Sequence, residues 1–309
     1  MTKLSGNSAI PLLLLPKEYK KPFFTFNTKT MRNKNYALIT GASEGFGKAL
    51  ALECASRDMN VILVALPGSG LCNLASYIER NFGVKAIFFE HDLSRKEEYN
   101  ELFKEVSRLN LPVNVLINNA GMGGTHFFEE RDAEYYYRQI ELNVVAPTLL
   151  THLFLEMLEE NTPSHILNVS SLASFFYLPK KQVYGGTKSY LVSFSKSLRR
   201  ELVRKNVFVS VICPGGMNTT PMLILQNHSV KGISRWSVMN PEEVARIAID
   251  GMLNKKEMII PGFWNRLFMI MNKMIPKWLK EILTERQMKK SKVFYNPLTP
   301  LLTPFKTAV

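Results

Sequence analysis

The chain is poor in the residues that build metal sites and disulfide frameworks. It has three cysteines, Cys54, Cys72 and Cys213, at spacings that fit neither a metal motif nor a disulfide scaffold. A reducing, cytoplasmic setting is expected. Its five histidines are scattered, with no His-Glu-x-x-His or His-x-His pattern, so no metal site is expected. No apolar run looks long enough to span a bilayer. Leu12 to Leu15 is a short apolar patch between Pro11 and Pro16. It is too short for a secretory signal and no small-residue cleavage site follows it. Internal repeats and low-complexity tracts are also lacking.

Charge is missing from the middle of the chain. The net charge is +13, yet residues 36–254 hold 21 basic and 22 acidic residues. Residues 1–35 carry seven basic residues and one Glu, and residues 255–292 carry ten basic and three acidic. A nucleic-acid-binding core would concentrate positive charge on the folded domain, so no nucleic-acid partner is expected. Hydrophobic residues make up 46 % of 309, enough for one large domain. Residues 1–34, interrupted by Pro11, Pro16 and Pro22, read as a poorly ordered extension. Met31 is a candidate natural start. Residues 35–262 read as the domain and residues 263–309 as a basic amphipathic tail.

From Tyr36 a regular alternation begins. Short apolar runs read as strands: Tyr36 to Thr40, Val61 to Ala65, Lys85 to Phe89, Val113 to Ile117, Ile166 to Val169, Val207 to Cys213 and Met258 to Ile260. Between them lie helical periodicities: Gly45 to Arg57, Leu71 to Phe82, Ser94 to Leu109, Ala133 to Glu159, Tyr184 to Lys205 and Pro241 to Leu253. Ser94 with Glu97 reads as a capping box. Continuous apolar strands alternating with amphipathic helices mean an α/β fold with a parallel sheet covered on both faces. Such sheets bind ligands beyond the carboxyl ends of their strands.

The first strand runs into Thr40-Gly41-Ala42-Ser43-Glu44-Gly45-Phe46-Gly47 and then a helix. Glycines let the backbone turn tightly and approach a pyrophosphate, while the helix N-terminus offers free N–H groups. The spacing is Gly-x-x-x-Gly-x-Gly. Asp92-Leu93 follows the third strand, Asn118-Asn119-Ala120-Gly121 the fourth, and Pro214-Gly215 the sixth, with Thr219 just beyond.

Tyr184 and Lys188 are four residues apart, which places both on one helix face. Tyrosine has an unperturbed pKa of about 10. A nearby ammonium is expected to lower it and let the pair exchange a proton near neutrality. Seen alone, such a pair is usually a surface pair. Ser171 lies thirteen residues before Tyr184, just past the fifth strand, with Ser170 as the alternative. Asn143 sits in Leu142-Asn143-Val144-Val145.

In this order, the motifs resemble the short-chain dehydrogenase/reductase family over roughly residues 36–260. The resemblance implies a Rossmann-type doubly wound parallel sheet of about seven strands in a single domain. It implies an NAD(P)-dependent oxidoreductase that interconverts a carbonyl and a secondary alcohol. Tyr184 would be the acid/base, Ser171 would hydrogen-bond the substrate oxygen, Lys188 would hold the nicotinamide ribose, and Asn143 would position a proton-relay water. Gly41, Ser43, Glu44, Gly45, Phe46, Gly47, Asp92, Leu93, Asn119, Ala120, Gly121, Pro214, Gly215 and Thr219 would join Tyr184 and Lys188 in cofactor contact. The second strand ends in Val64-Ala65-Leu66-Pro67, with neither the Asp that marks NAD nor an Arg for NADP, so both remain open. Gly185-Gly186 departs from the family's bulkier residue and Ala, and is expected to loosen the helix start. A homodimer or homotetramer is expected. The alternative function is a non-catalytic NAD(P)-binding regulatory or scaffold protein on the same fold.

Loops at 122–128, 175–179 and 217–236 should wall the substrate pocket. They carry Phe127, Phe128, Phe175, Phe176, Tyr177, Met222, Leu223 and Trp236, which favours a small hydrophobic or acyl-chain substrate. The tail interleaves Lys and Arg with Phe263, Trp264, Ile270, Met271, Met274 and Trp278. Such a segment suits peripheral contact with the inner membrane face. Packing on its own core or on a partner subunit, as a lid, is the competing role.

Overall fold

A computed structural model of the chain describes residues 35–219 and 236–276. The expectations for residues 1–34, for Met222 and Leu223, and for residues 277–309 lie outside the described residues. The strands are β1 (Tyr36–Thr40), β2 (Asn60–Ala65), β3 (Ala86–Glu90), β4 (Val113–Asn118), β5 (Ser164–Val169), β6 (Val207–Ile212) and β7 (Met258–Ile259). They pair in the order β3-β2-β1-β4-β5-β6-β7, every neighbour parallel. The helices are α1 (Gly45–Ser56), α2 (Leu71–Phe82), α3 (Lys96–Arg108), α4 (Ala133–Ile140), α5 (Ala146–Glu160), α6 (Gln182–Leu202), α7 (Pro241–Leu253) and α8 (Phe263–Met274).

The central strands are mostly apolar because both faces are covered, with Asn118 of β4 and Asn168 of β5 as buried polar residues, and the edge strand β3 is partly exposed. On one face Leu50 and Cys54 of α1, Ile78 of α2, and Ile249 and Met252 of α7 pack against Ile39, Leu63 and Ile117. On the other, Tyr99 and Leu102 of α3 join Leu150 and Phe154 of α5 against Leu38, Ile62 and Leu116. Arg57 closes the first layer: its guanidinium reaches Glu53 at 2.7 Å and Asp250 of α7 at 2.7 Å. The strand order reverses between β1 and β4, which opens a crevice at their carboxyl ends.

Three expectations need correction. The helix foreseen over residues 133–159 is interrupted by a π turn, Glu141–Val145, between α4 and α5. An extra residue shifts the apolar pattern by only one position, which a mostly apolar stretch such as 139–158 conceals, and such turns recur at functional sites. Ser94 does not cap α3. Its hydroxyl and N–H both donate to Asp92 Oδ1, at 2.7 and 3.0 Å, and the helix starts two residues later. Finally, residues 133–160 are long and apolar enough, by length and composition, to cross a membrane. Ala146, Leu150, Phe154 and Leu158 spend that apolarity on the sheet.

The glycine pair does not delay α6. The helix starts at Gln182, and Gly185 N–H donates to Lys181 O at 2.8 Å. A Cβ on Gly186 would meet nothing within 4 Å. Gly186→Ala should therefore stabilise the fold by about 0.5–1 kcal/mol through lower unfolded-state entropy. Thermal unfolding checks this, and a lower Tm would contradict it.

Candidate active site

The crevice is built around a clamp between β1 and β4. Thr40 Oγ1 accepts from the N–H groups of Asn119 and Ala120, both at 3.0 Å. Asn119 Nδ2 donates back to Thr40 O at 2.9 Å and Gly41 O at 3.1 Å. The chain after β1 is thus pinned to the chain after β4. Gly47, in the first turn of α1, packs directly on the Gly41 carbonyl, and any Cβ there would overlap it and Asn119 Nδ2. Gly45 takes φ +53° and faces Thr219. The N-cap of α1, Glu44, makes no side-chain cap, so the first-turn N–H groups stay open to an anion.

A cleft of about 480 Å3 opens over this loop. It is lined by Gly41, Ser43, Glu44, Gly45, Phe46, Gly47, Asp92, Leu93, Asn119, Ala120, Gly121 and Thr219, all expected from the motifs. These residues fit a dinucleotide: uncapped N–H groups, glycines that bring the backbone close, and Asp92 opposite. Leu66, His91, Met122, Arg138 and Leu142 also line it and were not foreseen. Arg138 comes within 4.0 Å of Asp92. It lies on α4, some 46 residues along the chain, so no local pattern ties it to the cleft.

Pro214 and Gly215 are not among the cleft residues. Pro214 O accepts from Leu172 N–H at 2.8 Å, and Gly215 lies against Asn265. They shape the end of β6 and seat α8.

Beside the cleft, Ser171, Tyr184, Lys188 and Asn143 converge. Ser170 is buried and donates to Lys188 O at 2.7 Å, locking β5 to α6. Ser171 instead sits close enough to the Tyr184 phenol to lower that group's pKa, and it accepts from Ala173 N–H at 3.1 Å. The Tyr184 ring lies over Gly123, where a Cβ would stand 3.3 Å from it. Lys188 Nζ donates to Val169 O at 2.9 Å, and a Cβ on Gly121 would come within 3.2 Å of it. Asn143, fully buried in the π turn, accepts from Met122 N–H at 2.9 Å. It also donates to Met122 O at 2.9 Å and Thr187 Oγ1 at 3.1 Å. It therefore splices the loop after β4 to α6.

The electrostatics differ from the expectation for a tyrosine beside an ammonium. Burial pushes the Tyr184 phenol above its usual value, and nearby Ser171 offsets part of this. Burial also pulls Lys188 down to about 8. Its Nζ is 5.8 Å from the centre of the Tyr184 ring, with its hydrogen bond spent on Val169. Desolvation therefore outweighs charge attraction at this pair.

The aromatic pocket wall is only partly as expected. Phe175 and Phe176 pack on Leu172, Val211 and Ile260. Phe128 stacks on Tyr136, and Trp236 lies 4.5 Å from Trp264. Tyr177 is almost wholly exposed.

Sheet order, clamp and polar cluster define a nicotinamide-dinucleotide oxidoreductase. Residues 35–230 match the family model described as short chain dehydrogenase. The chain is 29 % identical over 217 residues to 3-oxoacyl-[acyl-carrier-protein] reductase of Aquifex aeolicus (strain VF5), covering 69 % of this chain and 88 % of that one. It is 30 % identical over 253 residues to estradiol 17-beta-dehydrogenase 11 of Mus musculus, covering 81 % and 82 %. A short-chain dehydrogenase from Sphingobium yanoikuyae, solved with NADPH, superposes with a TM-score of 0.67 at 25 % identity, covering 84 % and 95 %. The chain belongs to the short-chain dehydrogenase/reductase family. It is an NAD(P)-dependent enzyme that interconverts carbonyls and alcohols.

Gly47→Ala should cost about 1–3 kcal/mol of stability and displace the loop. Cofactor titration should show weakened binding, and unchanged affinity would refute the cradle. A second check concerns Lys188. Below about pH 8 it is charged in both folded and unfolded chains. Between there and the usual lysine pKa of about 10.4 the unfolded chain binds more protons, so Lys188 makes stability rise with pH. Lys188→Met should flatten that part of the Tm–pH curve; an unaltered slope would count against the buried ammonium.

Proposed function

We propose that Tyr184 passes a proton to and from the substrate oxygen while Ser171 holds that oxygen. The observation that carries this is the convergence of Ser171 and Tyr184 beside the cleft, next to buried Lys188. Bound NAD(P) supplies or accepts the hydride. Developing negative charge on the oxygen meets two hydroxyl donors held in place by β5 and α6. A phenol raised in pKa by burial keeps its proton at neutral pH, which suits carbonyl reduction. Lys188 holds the nicotinamide ribose and steadies Tyr184. Asn143 holds the loop after β4 and orders the relay water. Gly41, Ser43 to Gly47, Asp92, Leu93, Asn119 to Gly121 and Thr219 hold the rest of the cofactor, and Pro214 and Gly215 act indirectly by fixing the end of β6.

The substrate we assign is an apolar or acyl-chain carbonyl. Two supports favour it: the Phe127 and Phe128 side of the entrance, and relatives named for 3-oxoacyl and estradiol substrates. In this reading residues 35–262 form the catalytic unit, assembled as a homodimer or homotetramer in the cytoplasm. Residues 1–34 are an extension, and the basic segment 263–309 makes peripheral contact with a membrane.

Tyr184→Phe should lower turnover by roughly 10^2–10^4-fold. Cofactor affinity should be unchanged. Cofactor oxidation over a panel of ketones reads the first and fluorescence titration the second. Wild-type turnover in the variant would rule out the assignment.

A further inference from the structure

The helix α8 departs from the usual surface helix, whose apolar stripe faces inward and whose outer face is polar. Its inner side carries two asparagines beside Met269, which packs on the cluster of Leu172, Val211, Cys213 and Ile260. Asn265 is 1 % exposed and donates to Pro261 O at 2.8 Å and Ser237 O at 3.2 Å. One helical repeat later, Asn272 donates to Phe175 O at 2.7 Å. These side chains tie the helix to backbone on either side of the substrate end. Its outer side is apolar: Phe263, Ile270, Met271 and Met274 are 70, 50, 46 and 78 % exposed. They recur at i, i+7, i+8 and i+11, which is a single helical face. Trp264, stacked near half-exposed Trp236, extends it.

A run of large apolar side chains kept in water is a docking surface. Its charge selects the partner. The helix contains Arg266 and Lys273 and no acidic residue, and residues 255–292 carry ten basic against three acidic. A second copy would bring like charge against like. An anionic lipid surface offers both the apolar depth and the opposite charge.

We propose that the outward face of α8 inserts into the interfacial zone of an anionic bilayer. This deepens the membrane contact proposed above and is independent of the role given to Tyr184. The contact is then an ordered helix face, with aromatic and methionine side chains below the headgroups and cations among them. The helix packs on the turn Leu172–Phe175, which follows Ser171. The bilayer therefore lies beside the substrate entrance, where an apolar carbonyl can leave the lipid without crossing bulk water.

The test uses the full chain and sedimentation with vesicles of phosphatidylcholine, alone or mixed with phosphatidylserine. Wild type should sediment with the mixed vesicles. The double variant Ile270→Glu, Met274→Glu should lose at least about tenfold in partition, since two apolar side chains leave the lipid. Its cofactor affinity should match wild type. Equal partition of a folded variant, reversed fully by salt, would overturn the helix-face proposal and leave a purely electrostatic tail contact. Failure of wild type to bind would overturn both. So would conversion of a wild-type dimer to monomer by the variant without vesicle binding, which would assign the face to a second copy. If the variant misfolds, bromolipid quenching of wild-type tryptophan emission decides instead. Quenching that Trp264→Phe diminishes supports insertion, and quenching that it leaves unaltered refutes it.

Discussion

The constraint on which the rest depends is the reciprocal clamp between Thr40 and Asn119. In a parallel sheet every strand delivers its carboxyl end to the same edge, and each chain must turn away there. At the β1/β4 reversal the two departing chains diverge to opposite faces, so nothing in the sheet itself holds them together. Thr40 Oγ1 and Asn119 Nδ2 do so with four hydrogen bonds to or from backbone. The same bonds pin Gly41 against Gly47 and so set how closely α1 approaches the cleft. Asn118 continues the bracing sideways through Asn168 at 2.8 Å, and Asn168 passes it to Ser195 of α6 at 2.9 Å. A polar ladder thus crosses the apolar sheet beneath the reacting groups.

Burial explains the chemistry better than charge pairing does. Lys188 and Tyr184 share a helix face, yet the ammonium spends its hydrogen bond on Val169 O. Both groups are pushed toward their neutral forms, the lysine downward and the phenol upward. The protein tolerates this cost because every polar atom of the neighbouring Asn143 and Ser170 is matched to backbone or to Thr187. The proposed catalytic cluster is therefore held by hydrogen bonds and shifted toward neutral forms by desolvation.

Helix α8 is held by polar and apolar contacts together. Asn265 and Asn272 bond the backbone carbonyls of Pro261, Ser237 and Phe175, while Met269 packs on the small cluster of Leu172, Val211, Cys213 and Ile260. That leaves the outer apolar side free. In the proposed membrane contact, the segment's basic residues and this apolar outer face act together.

Much of this was legible from residue order. Apolar runs of strand length alternating with amphipathic periods determined a parallel α/β sheet, since only strands buried on both faces are apolar at every position. Ordered motifs after β1, β3, β4, β5 and β6 pointed to the family, which the family match bears out, and nominated the cofactor loop and the Ser171, Tyr184 and Lys188 set, because their spacing is local. Tertiary structure alone decided the rest. Arg138 and His91 enter the cleft through packing between distant elements. The π turn at Asn143 adds one residue, a phase shift too short to read against an apolar stretch. Pro214 and Gly215 meet Leu172 and Asn265. The protonation balance at Tyr184 and Lys188 depends on desolvation, a property of the surrounding volume. The outward face of α8 depends on which side of an amphipathic segment finds partners, and that is settled only when Ser237 O, Phe175 O and the cluster around Leu172 meet Asn265, Asn272 and Met269.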